Sequence, residues 1–77
     1  MVTMNMYVVG DSDRGAYWSE TNRISIYLSN HETIYDVYKT ITHELIHACI
    51  DDFEITIDDE QEERLIFCIQ WAEETLV

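Results

Sequence analysis

The sequence predicts one α+β domain: a small antiparallel sheet of about three strands over residues 4–29, then a helix over about 32–50 and a second over about 58–75. Three observations carry this expectation. β-branched and aromatic residues crowd the first third of the chain in short runs. From Asn30 onward, apolar residues recur at spacings of three and four instead of two. Proline is absent, and the only two glycines, Gly10 and Gly15, fall in one segment, GDSDRG. A chain of 77 residues forms a single domain with a modest core, so any additional tether, such as a metal, weighs on its stability.

The first run, Met4 to Val9, is rich in β-formers, and GDSDRG after it reads as a turn. AYWS and RISIYLS follow, with ETN as a second turn between them. In the last run Ile24, Ile26 and Leu28 alternate with Arg23, Ser25, Tyr27 and Ser29, which suits a sheet covered on one face and wet on the other. Asn30 or Thr33 caps the next element, a helix whose apolar stripe is Ile34, Val37, Tyr38, Ile41, Leu45 and Ala48. The segment DDFEITI interrupts that pattern. Asp58 then caps the last helix, with Leu65, Ile69, Ala72 and Leu76 as its stripe.

The net charge is −12, and residues 51–77 hold ten of the sixteen carboxylates against one cation, Arg64. This excludes nucleic-acid binding through a basic patch. The plain account is a solvated helix face, and the sharper one is attraction of divalent cations or of a basic partner. Cys49 and Cys68 lack a C-x-x-C spacing and read as reduced, buried, small apolar residues. The apolar run MYVV is too short for a signal peptide, and no run approaches a membrane span. The expected setting is cytoplasmic, with no membrane and no nucleic-acid partner.

The chemistry-bearing stretch is ITHELIHACI, residues 41–50, which holds His43, Glu44 and His47 in the order H-E-x-x-H. Residues four apart on a helix stand one turn above each other, so His43 and His47 can offer two imidazole nitrogens to one zinc. Glu44, turned about 100° from His43, reaches a water on the metal more readily than the metal itself. That is the place of a general base. Counted at about 100° per residue, the two histidines point roughly opposite the stripe centred on Ile41 and Leu45, in line with Asp36 and Thr40. A catalytic zinc wants a third protein ligand and an open position. No third histidine follows the motif, and His31, before the helix, reads as a loop or capping residue. The acidic run DDEQEER supplies the candidates Asp59, Glu60, Glu62 and Glu63.

THELIHA followed by a short connection and a Glu-bearing helix resembles the zinc metallopeptidases called zincins. It is closest to their glutamate-liganded branch and to the small metallopeptidase-like domains related to the ImmA/IrrE family, common in phages and mobile elements. GAYWSETNRISIYLS resembles the strand pair that precedes the active-site helix there. The resemblance covers roughly residues 15–72, and HELIH is its specific element. In that family the Glu after the motif is followed, four and five residues on, by Phe and a small residue. Glu63, with Phe67 and Cys68, matches this, so the resemblance carries the third-ligand role to Glu63. Helix geometry competes, because Glu62 lies three before Leu65 and seven before Ile69 and so points into the stripe, where a carboxylate needs a partner.

The chain is much shorter than a typical peptidase, with little left for specificity pockets. Tyr17 and Tyr27 are candidates for an oxyanion-stabilising donor, beside plainer packing or surface roles. The strand near residues 23–29 is expected at an edge, where an extended peptide adds to it as in zincins. The function expected from all this is a minimal zinc-dependent peptidase acting on a peptide or protein, with His43, His47 and Glu63 on zinc and Glu44 as base. Two alternatives stand beside it: a non-catalytic domain stapled by its metal, and an acidic interaction protein, such as a small viral host-interaction factor, with an accidental motif.

Overall fold

The computed structural model describes residues 2–9 and 13–76, so Gly10 and the first half of the predicted GDSDRG turn lie outside the described residues. The architecture is α+β. Strands β1 (Thr3–Tyr7), β2 (Gly15–Trp18) and β3 (Arg23–Tyr27) precede a short 3-10 turn, Leu28–Asn30, and the helices α1 (Ile34–Asp52) and α2 (Asp59–Leu76).

The sheet is mixed, which corrects the antiparallel expectation. Its order is β1-β3-β2, with β2 antiparallel to β3 and β1 parallel to it, Thr3 opposite Arg23 and Tyr7 opposite Tyr27. Alternation in a strand specifies which face is buried but not which neighbour it pairs with. The residue 23–29 run is therefore the central strand and not an edge, and β2 is the edge beside α1. The hairpin between β2 and β3 closes through Asn22 at φ 53°, a left-handed conformation that Asn tolerates better than most residues.

Ile24 and Ile26 are fully buried and pack with Val37 and Ala48 of α1. Ser25, expected on the wet face, is buried as well, between Asn5 of β1 and Ala16 of β2. Leu28, expected to prolong β3, begins the 3-10 turn instead. That turn delivers His31, whose Nδ1 lies 2.9 Å from the Tyr27 carbonyl and whose Nε2 lies 2.7 Å from Thr40 Oγ1. A carbonyl only accepts, so Nδ1 carries the proton, and the Thr40 hydroxyl shares its one proton between Nε2 and the Asp36 carbonyl, 3.2 Å away. His31 thus ties the end of β3 to the first half of α1.

Thr33 is the N-cap of α1, its hydroxyl accepting from the Asp36 amide, while Asn30 donates to the Asp13 carbonyl. The helix ends in a Schellman arrangement: the Ile55 amide donates to the Ile50 carbonyl and the Glu54 amide to the Asp51 carbonyl. Glu54 takes the left-handed position there, φ 53°, where glycine is usual. This turn accounts for the DDFEITI interruption. Asp58 caps α2 as expected, accepting from the Gln61 amide at 2.8 Å.

Both buried faces are rotated from the apolar stripes. On α1 the buried residues include Val37, Thr40, Glu44 and Ala48, whereas Ile34, Tyr38 and Leu45 are exposed. At about 100° per residue the face turns roughly 70° toward the histidines. A count of apolar residues omits Thr40 and Glu44, which the fold buries. On α2 Ile66 is the buried residue, and Leu65 and Leu76 are exposed. Cys49 and Cys68 are free thiols as expected, but exposed, because they lie off these rotated faces. No helix among the described residues is long and apolar enough to cross a membrane.

One glycine is required by close approach. A Cβ on Gly15 would lie 2.7 Å from Thr40 Cγ2 and 3.0 Å from the Ser25 carbonyl oxygen. Thr40 is short, β-branched and held by His31, so it cannot swing aside. Gly15→Ala is expected to cost about 1–3 kcal/mol through overpacking, and so to lower Tm by at least about 4 °C in thermal unfolding. An unchanged Tm would contradict this account of how α1 seats on β2.

Candidate metal centre

The second half of α1 lies against the first two turns of α2, and this seam gathers the motif. His43 and His47 stand one turn apart with ring centroids 5.0 Å from each other. They are half-buried and face α2. The sequence count had set them opposite the core; the rotated packing face brings them to its flank instead.

Across the seam, Glu63 Oε1 lies 3.0 Å from His47 Nε2 and Glu63 Oε2 lies 3.6 Å from His43 Nε2. One ligand atom from each of His43, His47 and Glu63 can be chosen so that all lie within 4.8 Å of one another. These three residues form a candidate metal-binding triad. Glu62 is its neighbour and does something different: its Oε2 lies 2.5 Å from His47 Nδ1. The carboxylate accepts the Nδ1 proton, which leaves the Nε2 lone pair toward Glu63 and His43. The expectation that Glu62 points inward and needs a partner holds, and the partner is His47. Of the other acidic candidates, Glu60 pairs with Arg64 at 2.7 Å, and Asp59 lines a cleft next to the triad. His31 is part of the β3–α1 tie and lies outside the cluster.

Glu44 is only 8% exposed, and among the described residues it has no hydrogen-bond partner. Burial pushes its pKa above the ordinary carboxylate value; His43 and His47 oppose that shift, and Glu63 and Asp13 add to it. It opens onto two clefts. One, of about 580 Å³, also includes Tyr17, His47 and Asp51; the other, of about 260 Å³, includes Gly15, Thr40 and His43. β2, one of the two edge strands, contributes to both through Gly15 and Tyr17.

The Tyr17 hydroxyl donates to Asp51 Oδ2 at 2.9 Å and lies 3.2 Å from Asn22 Oδ1. Burial, then the hydrogen bond and charge of Asp51, push its pKa up to about 12, so it remains a protonated donor at neutral pH. Tyr27 instead stacks on Tyr7, ring centroids 5.7 Å apart. Sequence reasoning missed the Tyr17–Asp51 contact and the burial of Glu44, since both depend on how α1 is rotated over the sheet. The Glu62–His47 pair had one readable signal, the acid at an inward position.

No family model, curated protein or solved structure matches the chain.

The raised pKa of Glu44 fixes the sign of a stability effect. A carboxyl whose pKa is higher in the folded than in the unfolded chain makes the metal-free fold less stable once pH rises past the unfolded value of about 4.5. In the metal-free protein, Glu44→Gln is therefore expected to raise Tm at pH 7, with the gain fading as pH falls toward 4.5. A Tm at pH 7 equal to or below that of the parent chain would refute the assigned desolvation.

Proposed function

We propose that this chain is a minimal zinc-dependent peptidase, and that His43, His47 and Glu63 hold the metal. The observation that supports this most directly is the pairing of a two-histidine, one-glutamate donor set with a neighbouring Glu44 that is 8% exposed and opens onto both clefts. The donor set fits zinc. Tetrahedral coordination at about 2.0–2.2 Å needs donors roughly 3.3–3.5 Å apart. Glu63 reaches the two imidazoles through different oxygens, Oε1 at 3.0 Å from His47 Nε2 and Oε2 at 3.6 Å from His43 Nε2. One donor atom from each of the three residues lies within 4.8 Å of the others, a looser spacing than the bound ion would set. Three protein donors leave a fourth position open, as in catalytic sites.

Bound there, zinc supplies a Lewis acid that polarises the peptide carbonyl and acidifies a water. The remaining work belongs to the side chains. Glu44 takes a proton from the attacking water and returns it to the leaving amine, and its raised pKa brings it closer to the operating pH of a general base. Glu62 holds His47 in one tautomer and orientation. Tyr17 stays protonated at the rim of the larger cleft, anchored by Asp51. The edge of β2, not β3, is where an extended peptide can add a strand beside Glu44.

A second reading keeps the metal and drops the catalysis. It is favoured by the thin apolar attachment of α2, in which Ile66 is the buried residue. A metal joining α1 to α2 would then serve as a staple.

Elemental analysis and zinc titration of the whole chain are expected to show one tightly bound zinc, with Tm falling on chelation. Glu63→Gln and His47→Ala should abolish tight binding, and Glu62→Gln should weaken it about 10–100-fold. Absence of zinc binding would sink both readings and leave an acidic interaction protein. Glu44→Gln separates the two: it should keep zinc while lowering peptide hydrolysis about 10²–10⁴-fold, whereas a stapled domain shows no hydrolysis to lose.

A further inference from the structure

β1 lines neither cleft of the candidate metal centre, and it ends the sheet. It pairs with β3 on one side, and among the described residues no strand pairs with it on the other. The Thr3 amide donates to the Asn22 carbonyl at 3.1 Å, which turns the backbone of Thr3, Asn5 and Tyr7 toward β3. The N–H and C=O groups of Met4 and Met6, between them, point outward from the edge. The side chains of these two residues lie on the helix-bearing face, since they stand opposite Ile24 and Ile26. There α1 rests on β2 and β3, so both methionines stay exposed.

Edge strands are ordinarily kept from pairing by a lysine, a proline or a bulge. Residues 2–9, VTMNMYVV, contain no charged residue and no proline, in a chain whose net charge is −12. The register with β3 runs unbroken from Thr3 to Tyr7, and Val8 and Val9 beyond it are exposed. This pattern chooses between occupants. A basic partner finds its complement on the acidic helices and none at β1. A second copy of the chain is repelled wherever carboxylates come close, and least at this neutral edge. It also brings a strand that matches. In the antiparallel register that pairs the whole of both strands, centred on Asn5, Met4 stands opposite Met6 of the second copy. Both face outward, so each such pair exchanges both of its backbone hydrogen bonds. The methionines of the two copies then meet on the helix-bearing face. Asn5 meets Asn5 on the other, where one primary amide can donate to the next.

We propose that β1 is a self-association edge, through which two copies of the chain join as an antiparallel pair centred on Asn5 and form one continuous sheet. The β2 edges stay free, and with them the clefts beside the candidate centre, so the proposal does not depend on what that centre does. Pairing along a strand of five residues buries less than a standard interface of about 1,200–2,000 Å², so the dimer forms in the micromolar range and not the nanomolar. Salt screens the repulsion between two acidic copies and therefore strengthens the association. A contact between opposite charges would respond the other way.

Sedimentation equilibrium of the whole chain, at concentrations up to about 1 mM and at low and high salt, reads the association. The expected result is a mass rising from one chain to two, with a Kd that falls as salt is raised. Met4→Lys with Met6→Lys should weaken the dimer at least about tenfold, because it sets lysine opposite lysine along the edge. That variant lowers the net negative charge, so overall repulsion does not account for the loss, and circular dichroism of the dilute protein checks that it folds. A second pair of variants decides the matter if it does not. In a background of Cys49→Ser with Cys68→Ser, Asn5→Cys should form an interchain disulfide under mild oxidation. Thr3→Cys, facing Tyr7 of the second copy, should not. The proposal is overturned by a chain that stays monomeric throughout, by a folded lysine variant that associates like the parent, or by Thr3→Cys crosslinking as readily as Asn5→Cys. Association that weakens with salt would overturn it in favour of contact between oppositely charged surfaces. If the chain is monomeric yet a neutral peptide of alternating threonine and valine binds the parent and not the lysine variant, the edge belongs to another protein's strand and the second copy is excluded.

Discussion

His47 lies between two consecutive carboxylates of α2, with Glu62 at Nδ1 and Glu63 at Nε2; the Nδ1 hydrogen bond ties the two helices, while the Nε2 lone pair and Glu63 face each other as two acceptors. Apolar packing alone gives α2 little purchase. Ile66 is its buried residue, and complete burial of one such side chain contributes about 1.5–3 kcal/mol. The first turn of α2 also holds Asp59, Glu60 and Glu62, with Glu63 immediately after. The positive end of the helix dipole favours acids there, by about 0.3–1 kcal/mol each, but does not remove their mutual repulsion. A divalent cation on the seam turns that repulsion into attraction. The same charges that weaken the bare fold are what a metal needs, so under the metal reading proposed above folding and metal loading would be coupled through this contact.

Glu44 shows the same tension on the sheet side of α1. A helix seated on Ile24 and Ile26 would be more stable with an apolar residue at that position, since even the partial desolvation of a carboxylate costs free energy. The fold keeps it next to the two histidines, where burial and nearby acid groups raise its proton affinity. Under the proposed general-base role of Glu44, local stability would be given up at the residue with the most demanding chemistry, the pattern expected of function and not of packing.

The parts legible in the sequence were those with short-range causes. The caps at Thr33 and Asp58, the order of elements and the spacing of His43, Glu44 and His47 follow from local rules. The parts that were not legible depend on partners distant in the chain. Strand alternation could not show that β1 pairs with β3, parallel to it, which puts β3 at the centre and leaves β1 and β2 as the edges. An apolar count could not show that Thr40 and Glu44 face the sheet. The choice between Glu62 and Glu63 was posed as a competition for one role. The structure places each at a different nitrogen of the same ring, because neighbouring residues on a helix differ by about 100°.

How α1 comes to be rotated toward its histidines can be traced to the tight fit at β2. Gly15 lets Thr40 approach the sheet backbone more closely than any side chain on that strand would allow. Thr40 is held from the other side by His31, at the exit of β3. One helix position is therefore fixed between two strands, and a helix pinned at Thr40 has its rotation set for the next turn. Glu44, four residues on, then falls on the same inward face, with His43 and His47 at its flank toward α2. The glycine is thus a positioning element for the candidate centre, although it contributes no side chain to it. In a chain this short, the same few contacts must build the core and aim the chemistry.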